Sequence, residues 1–149
     1  MTVALLDVNV LLGMLWRKHD FHASAMEWFL RNRESGWATC PLTQTGFVRV
    51  ISNPNSYQFG PTVEEAIELL NSSIAASSDH HFWHHGLPLE RWSHALRSRI
   101  QGHKQITDAY LLALALHHKG QFVTFDRRML QLAPTGSPER AALVILAKN

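Results

Sequence analysis

The chain has 149 residues, 46% of them apolar, and a formal net charge of +2. That length and apolar share suit one well-buried core and leave too little chain for two ordinary domains, and no apolar stretch approaches the roughly 20 residues that cross a bilayer. Cys40 is the single cysteine, which excludes an internal disulfide, and Asp7 interrupts the only apolar run near the start, so no secretory leader is expected and the chain reads as intracellular.

Val3 to Leu6 is short, continuously apolar and rich in strand formers, the pattern of a strand buried on both faces. It is the natural middle strand of a parallel sheet. Val8, Leu11, Leu12 and Leu15 then recur at helical spacing up to Trp16. Phe21, Ala25, Met26, Phe29 and Leu30 predict a second amphipathic helix that Gly36 stops. Trp37 to Cys40 predicts a second strand, closed by Pro41, and Leu42 to Ser52 a helix opening from its end with Thr43 as cap. Asn53 to Pro61 is rich in turn formers and predicts a surface loop.

Thr62 and Glu65 have capping-box spacing ahead of a helix whose core stripe is Val63, Ala66, Ile67, Leu70 and Ile74. His81 to Trp83 predicts a third strand, and Glu90 to Ile100 a helix that Gly102 ends. From Ile106 to Leu116 the residues are so apolar that the helix must be buried nearly all round, with Thr107 and Asp108 in its first turn and Gly120 at its end. Gln121 to Thr124 predicts a fourth strand leading to Asp126, and Leu143 to Leu146 a fifth. Strands alternating with helices in this way predict an α/β fold with a central parallel five-stranded sheet.

Three acids stand where such a sheet places its ligand crevice. Asp7 and Asp126 follow strand ends, and Asp108 opens the helix that must pack on the sheet. One such acid is ordinarily a helix cap, but three aimed at one crevice repel each other and need a cation or strong donors between them. Hard oxygen ligands suit Mg²⁺ or Mn²⁺, ions that activate water and stabilise the oxygens of a phosphoryl displacement. From Arg91 to Thr107 the chain carries Arg91, Arg97, Arg99 and Lys104, with His94 and His103 and no acid, a segment suited either to phosphates or to a solvated helix face.

Four pieces in order, LLDVNVLL at 5–12, CPLTQTGFVRVISNP at 40–54, ITDAYLLALA at 106–115 and VTFDRRM at 123–129, resemble the PIN-domain ribonucleases, and within them the VapC-type toxins of bacterial toxin–antitoxin pairs. The resemblance covers essentially the whole chain and implies a single PIN domain over 1–149, a three-layer α/β/α sandwich. It also implies metal-dependent hydrolysis of RNA phosphodiesters, with metal-binding acids at Asp7, Asp108 and Asp126. Where the family usually carries a glutamate this chain has Gln44, whose amide oxygen can ligate a metal but brings no charge. Asn9 and Thr124 match polar positions beside the site, with second-shell or substrate-positioning roles. Arg91, Arg97, Arg99 and Lys104 would then hold RNA phosphates without reading sequence. Also implied are a small VapB-like antitoxin as partner, a homodimer and a bacterial cytoplasmic setting.

Two rival readings are set beside this one. His80, His81, His84 and His85 suggest a zinc site, but the interleaved Phe82 and Trp83 favour a strand or loop over the helix that would gather the imidazoles. The other rival is a PIN module weakened by Gln44, one that binds RNA or an antitoxin without cleaving.

Overall fold

The computed structural model describes residues 2–84 and 86–148. Five strands, β1 (Ala4–Leu6), β2 (Trp37–Thr39), β3 (His80–Phe82), β4 (Gln121–Thr124) and β5 (Leu143–Ile145), form one sheet in the order β3-β2-β1-β4-β5. All four pairings are parallel, and β1 lies in the middle as its composition predicts.

The two faces of that sheet bury different residues because side chains alternate along a strand. Leu5, Ala38 and Phe122 point into a core shared with α5 (His94–Arg99) and α6 (Ile106–His117). Ala4, Leu6, Trp37 and Val123 point into the opposite core, formed with α1 (Val8–Leu15), α2 (His22–Asn32), α3 (Pro41–Ile51) and α4 (Val63–Ala75). The short helix α7 (Pro138–Ala142) packs beside α6. The result is the three-layer α/β/α sandwich. Leu5 and Leu6 are wholly buried, so cutting either to alanine removes about 2–5 kcal/mol of stability.

The apolar run in α6 is explained by its place: Ala109 and Leu111 to Ala115 are all buried. The helix begins at Ile106 as expected, but Thr107 lies inside its first turn and is not its cap, and the N-cap Gln105 makes no side-chain bond there. Gly120 also acts differently from a helix-stopping glycine. Lys119 takes the left-handed backbone conformation, with φ 56°, while Gly120 is kept small because a Cβ there would strike the Val3 carbonyl and the Trp83 ring.

Two further expectations are corrected. The helix expected over 90–100 is split into a 3-10 turn at Leu89–Arg91 and α5, because Trp92 is extended and buried and the Ser93 hydroxyl caps the new start by accepting from the Leu96 amide at 3.0 Å. At α3 the cap is Cys40, with Pro41 in the first turn, and Thr43 instead sends its hydroxyl back to accept from the Cys40 amide at 3.0 Å. The Thr62–Glu65 box forms as expected, each residue accepting from the other's amide at 3.1 Å.

Candidate active site

β1 and β4 are neighbours in register, so the residues following them emerge side by side at the carboxyl edge of the sheet. Asp7 is nearly buried there and caps α1. Its Oδ1 accepts from the Val8 amide at 2.7 Å, and its Oδ2 accepts from the Thr124 hydroxyl at 2.7 Å. The Thr124 hydroxyl, wholly buried, also accepts from Asn9 Nδ2 at 3.2 Å and from the Asp126 amide at 3.0 Å. Asn9 completes the tie by accepting from the Phe125 amide at 3.2 Å. One hydroxyl thus fixes the Asp7 carboxylate and the turn that carries Asp126.

The electrostatics differ from acid to acid. Burial pushes the Asp7 carboxyl above the usual range, the Thr124 and Val8 bonds pull it back, and Asp126 adds a smaller repulsion. Asp108, half-buried in the first turn of α6, is pushed up to about 6, first by burial and then by Asp7 and Asp126, with Arg128 opposing. Asp126 goes the other way. Arg128 grips it through Nε, 3.0 Å from Oδ1 and 3.1 Å from Oδ2, and through Nη2, 2.8 Å from Oδ2, and this holds its carboxyl low.

Asp7, Asp108 and Asp126 therefore act on one another through charge, as one site requires. Among the described residues, however, no three acid, histidine or cysteine side chains converge as a preformed metal cage. Asp126 is turned to Arg128. The donor chemistry still fits a hard divalent cation: oxygen ligands only, two of them pushed towards protonation by burial first and then by neighbouring acids, the penalty that a bound cation relieves.

Gln44 lies on the first turns of α3 above the end of β2. Its Nε2 donates to the Thr39 hydroxyl at 3.0 Å, and Thr39 Oγ1 lies 2.7 Å from His80 Nε2. Burial, and then the neighbouring His81, hold His80 below its ordinary range, so the neutral ring suits the role of acceptor for the Thr39 proton. Gln44 is thus tethered through its amide nitrogen, and its carbonyl oxygen remains the chemically suitable ligand.

The basic segment does not act as one patch. Lys104 lines a cleft of about 550 Å³ with His103, Gln105, Asp108 and Arg128. Arg91 lines a different cleft, beside Trp92 and His117. Arg97 is exposed on α5. Arg99 is turned inward: it donates to the Leu132 carbonyl at 3.0 Å and sits 3.3 Å from buried Glu139 Oε2, paired by charge without hydrogen-bond alignment. A phosphate-holding role for Arg99 is therefore corrected to a structural one.

Sequence reasoning missed Arg127, Arg128 and Lys148. Together with Asn9, Phe21, Phe125 and Asp126 they line a second cleft of about 490 Å³. The signal was present, two arginines directly after an acid in VTFDRRM, but a lysine near the far end of the chain had nothing in sequence to tie it to them. The histidine segment forms β3 and the loop after it. His80 is bound to Thr39, and His84 stacks on Phe82 with ring centroids 6.1 Å apart. Consecutive strand residues face opposite ways, which separates His80 from His81 and removes the helical spacing a zinc site would use; His85 lies outside the described residues.

A parallel sheet with two acids just past neighbouring strand ends, a third on a buried helix, and clefts lined by Lys104, Arg127, Arg128 and Lys148 defines an α/β protein with an acidic site bordered by cations. Residues 4–133 match the PIN domain family. The chain is 45% identical over 137 residues to ribonuclease VapC44 of Mycobacterium tuberculosis, covering 92% of this chain and 95% of that one, and 39% identical over 136 residues to ribonuclease VapC39 of the same organism, covering 91% and 97%. Among solved structures it resembles the VapBC2 structure from Rickettsia felis bound to a promoter DNA fragment, with TM-score 0.60, 11% identity and coverage of 97% and 99%. A toxin–antitoxin complex from Klebsiella pneumoniae shares the fold with TM-score 0.55, 18% identity and 95% coverage of each chain. The chain belongs to the PIN-domain family and, within it, to the VapC-type ribonuclease toxins.

Proposed function

We infer that this VapC-type protein is an endoribonuclease toxin that hydrolyses RNA phosphodiester bonds with Mg²⁺ or Mn²⁺, and that residues 1–149 act as one PIN unit. The observation that carries the metal reading is the meeting of three carboxylates that act on one another through charge, Asp7 and Asp126 just past the neighbouring strands β1 and β4 and Asp108 in the first turn of α6, pushed up by burial and by both. Asp7 and Asp108 would hold the ion, joined by Asp126 once it leaves Arg128, with Gln44 as a weak oxygen ligand.

When bound, such an ion supplies an acidified water and polarises the phosphate oxygens. The rest is done by the chain. Thr124 and the Val8 amide keep the Asp7 oxygens in one orientation, and Asn9 holds the turn from Thr124 to Asp126 so that it does not drift. Lys104 on one side, and Arg127 with Lys148 on the other, attract successive phosphates and centre the backbone over the acids. None of these cations reads a base, so target choice rests on RNA shape and on unpaired bases.

A VapB-like antitoxin is the regulatory partner in this reading, with a homodimer as the working form and the bacterial cytoplasm as its place. Among the described residues, no helix is long and apolar enough to cross a membrane. Exposed Val63 and Ile67, which line a groove between α3 and α4 together with Gln44, support protein contact beside the site. The noncleaving alternative is disfavoured by the similarity to named ribonucleases over nine-tenths of the chain.

The test is incubation of total cellular RNA with purified, antitoxin-free protein in Mg²⁺ or Mn²⁺, beside EDTA and Asp108→Asn. Discrete fragments that disappear in both controls are expected. A folded sample that cuts nothing with either metal would return the protein to the binding-module reading.

A further inference from the structure

Arg128 occupies an unusual place. It borders both cationic clefts, one shared with Lys104 and Asp108, the other with Asn9, Asp126, Arg127 and Lys148. Its guanidinium holds Asp126 through three contacts of 2.8–3.1 Å, yet its side chain is 83% exposed. An ion pair that open to water is weak, and its charge is easily transferred to another anion. The planar fork that grips a carboxylate also grips a phosphate, since both offer two oxygens at matching separation.

This exchange matters because of what Asp126 does in each state. Held by Arg128, both its oxygens are occupied, and among the described residues no three-ligand group forms. Freed from the guanidinium, Asp126 still accepts from the Arg128 amide through Oδ1 but has Oδ2 to offer, and among the described residues it is the carboxylate that acts by charge on both Asp7 and Asp108. We propose that Arg128 is a substrate-contacting residue that exchanges Asp126 for an RNA phosphate, so that Asp126 becomes a metal ligand when RNA is bound.

This rests on the metal-dependent nuclease reading and adds a coupling to it. Because each ligand favours the state in which Arg128 has left Asp126, RNA tightens metal binding and metal tightens RNA binding by the same factor. Free toxin would hold its metal loosely and complete the site on its substrate. Neighbouring Arg127 lines the second cleft but forms no such fork among the described residues, so it serves as a matched charge without the exchange.

The test avoids cleavage altogether. Mn²⁺ affinity is measured on the full chain by electron paramagnetic resonance, without RNA, for wild type, Arg128→Ala, Arg128→Lys and Arg127→Gln. Binding of a random-sequence 20-nucleotide RNA is then measured by fluorescence anisotropy in EDTA. Arg128→Ala is expected to bind Mn²⁺ about three- to tenfold more tightly than wild type, with Arg128→Lys between them and Arg127→Gln close to wild type, while Arg128→Ala loses more RNA affinity than Arg127→Gln. Equal Mn²⁺ affinities for Arg128→Ala and Arg127→Gln, or equal RNA affinities, would overturn the exchange and leave the nuclease reading standing. No Mn²⁺ binding by any of the four would overturn both. Thermal melts of each variant establish that the exposed substitution leaves the fold intact.

Discussion

Asp7 and Asp126 follow neighbouring strands, and their surroundings are opposite. Asp7 is buried, held by a hydroxyl and an amide from the fold itself, and its carboxyl is pushed up. Asp126 is more open, held by a mobile type of side chain, and its carboxyl is held low. The contrast separates a fixed half of the site from an adjustable half. A ligand built into the core gives the same geometry in every state, whereas one held by a surface arginine can change partner.

The largest effect should come from the fixed half. Asp7→Asn keeps an acceptor for the Val8 amide and therefore the start of α1, but it removes the charge; RNA cleavage is expected to fall more than about a hundredfold while the melting temperature moves by only a few degrees. A comparable loss of both activity and fold would show that Asp7 is mainly a cap. Thr124→Val is next, being close in shape but lacking the hydroxyl shared by Asp7, Asn9 and the Asp126 amide. It should destabilise by about 1–3 kcal/mol in denaturant melts and slow cleavage about 10- to 100-fold.

Gln44→Glu sharpens the contrast from a third side. A carboxylate cannot donate to Thr39, so Thr39 must donate to it and His80 must supply a proton to Thr39, reversing the chain of hydrogen bonds. The added charge is expected to raise Mn²⁺ affinity about fivefold in calorimetric titration, and ¹⁵N spectra should show the proton of His80 moved to Nε2. Unchanged affinity would place residue 44 outside the metal's reach.

The smallest effect is on the pH dependence of stability. Asp108 rises from 3.8 to about 6 on folding, so between those values the folded chain binds a proton that the unfolded chain has shed. Its contribution is full below pH about 4 and lost as pH rises through about 6. In EDTA, the melting temperature of wild type relative to Asp108→Asn should therefore fall from pH 4.5 to pH 7.5. His19 and His80, both held low, lose stability in the opposite direction, but they do so in both proteins and cancel in the difference. A flat difference would mean that Asp108 feels neither the burial nor the neighbouring acids.

The middle strand, the five-stranded parallel sheet and the buried α6 were legible because burial on both faces leaves unbroken apolar runs, as in Val3 to Leu6 and Leu111 to Ala115. Asp7 and Asp126 were legible as residues just past strand ends, and Asp108 as an acid in the first turn of the apolar helix. What was not legible depended on contacts remote in sequence. Arg99 looked like its basic neighbours until Glu139 and Leu132 turned it inward. Trp92 split a helix because its ring is needed in the core, a tertiary demand that helical spacing does not carry. Lys148 joins the cleft only through the fold, which brings the end of the chain against Phe21, 5.3 Å from its ring, and beside Asp126.

The most direct measurement is a crystal of the wild-type protein soaked in Mn²⁺, read by anomalous scattering at the manganese edge. The account predicts a peak between Asp7 and Asp108, with carboxylate oxygens from both at about 2.2 Å. A peak that avoids both carboxylates, or no peak in crystals of protein that cleaves RNA in the same Mn²⁺ solution, would contradict it.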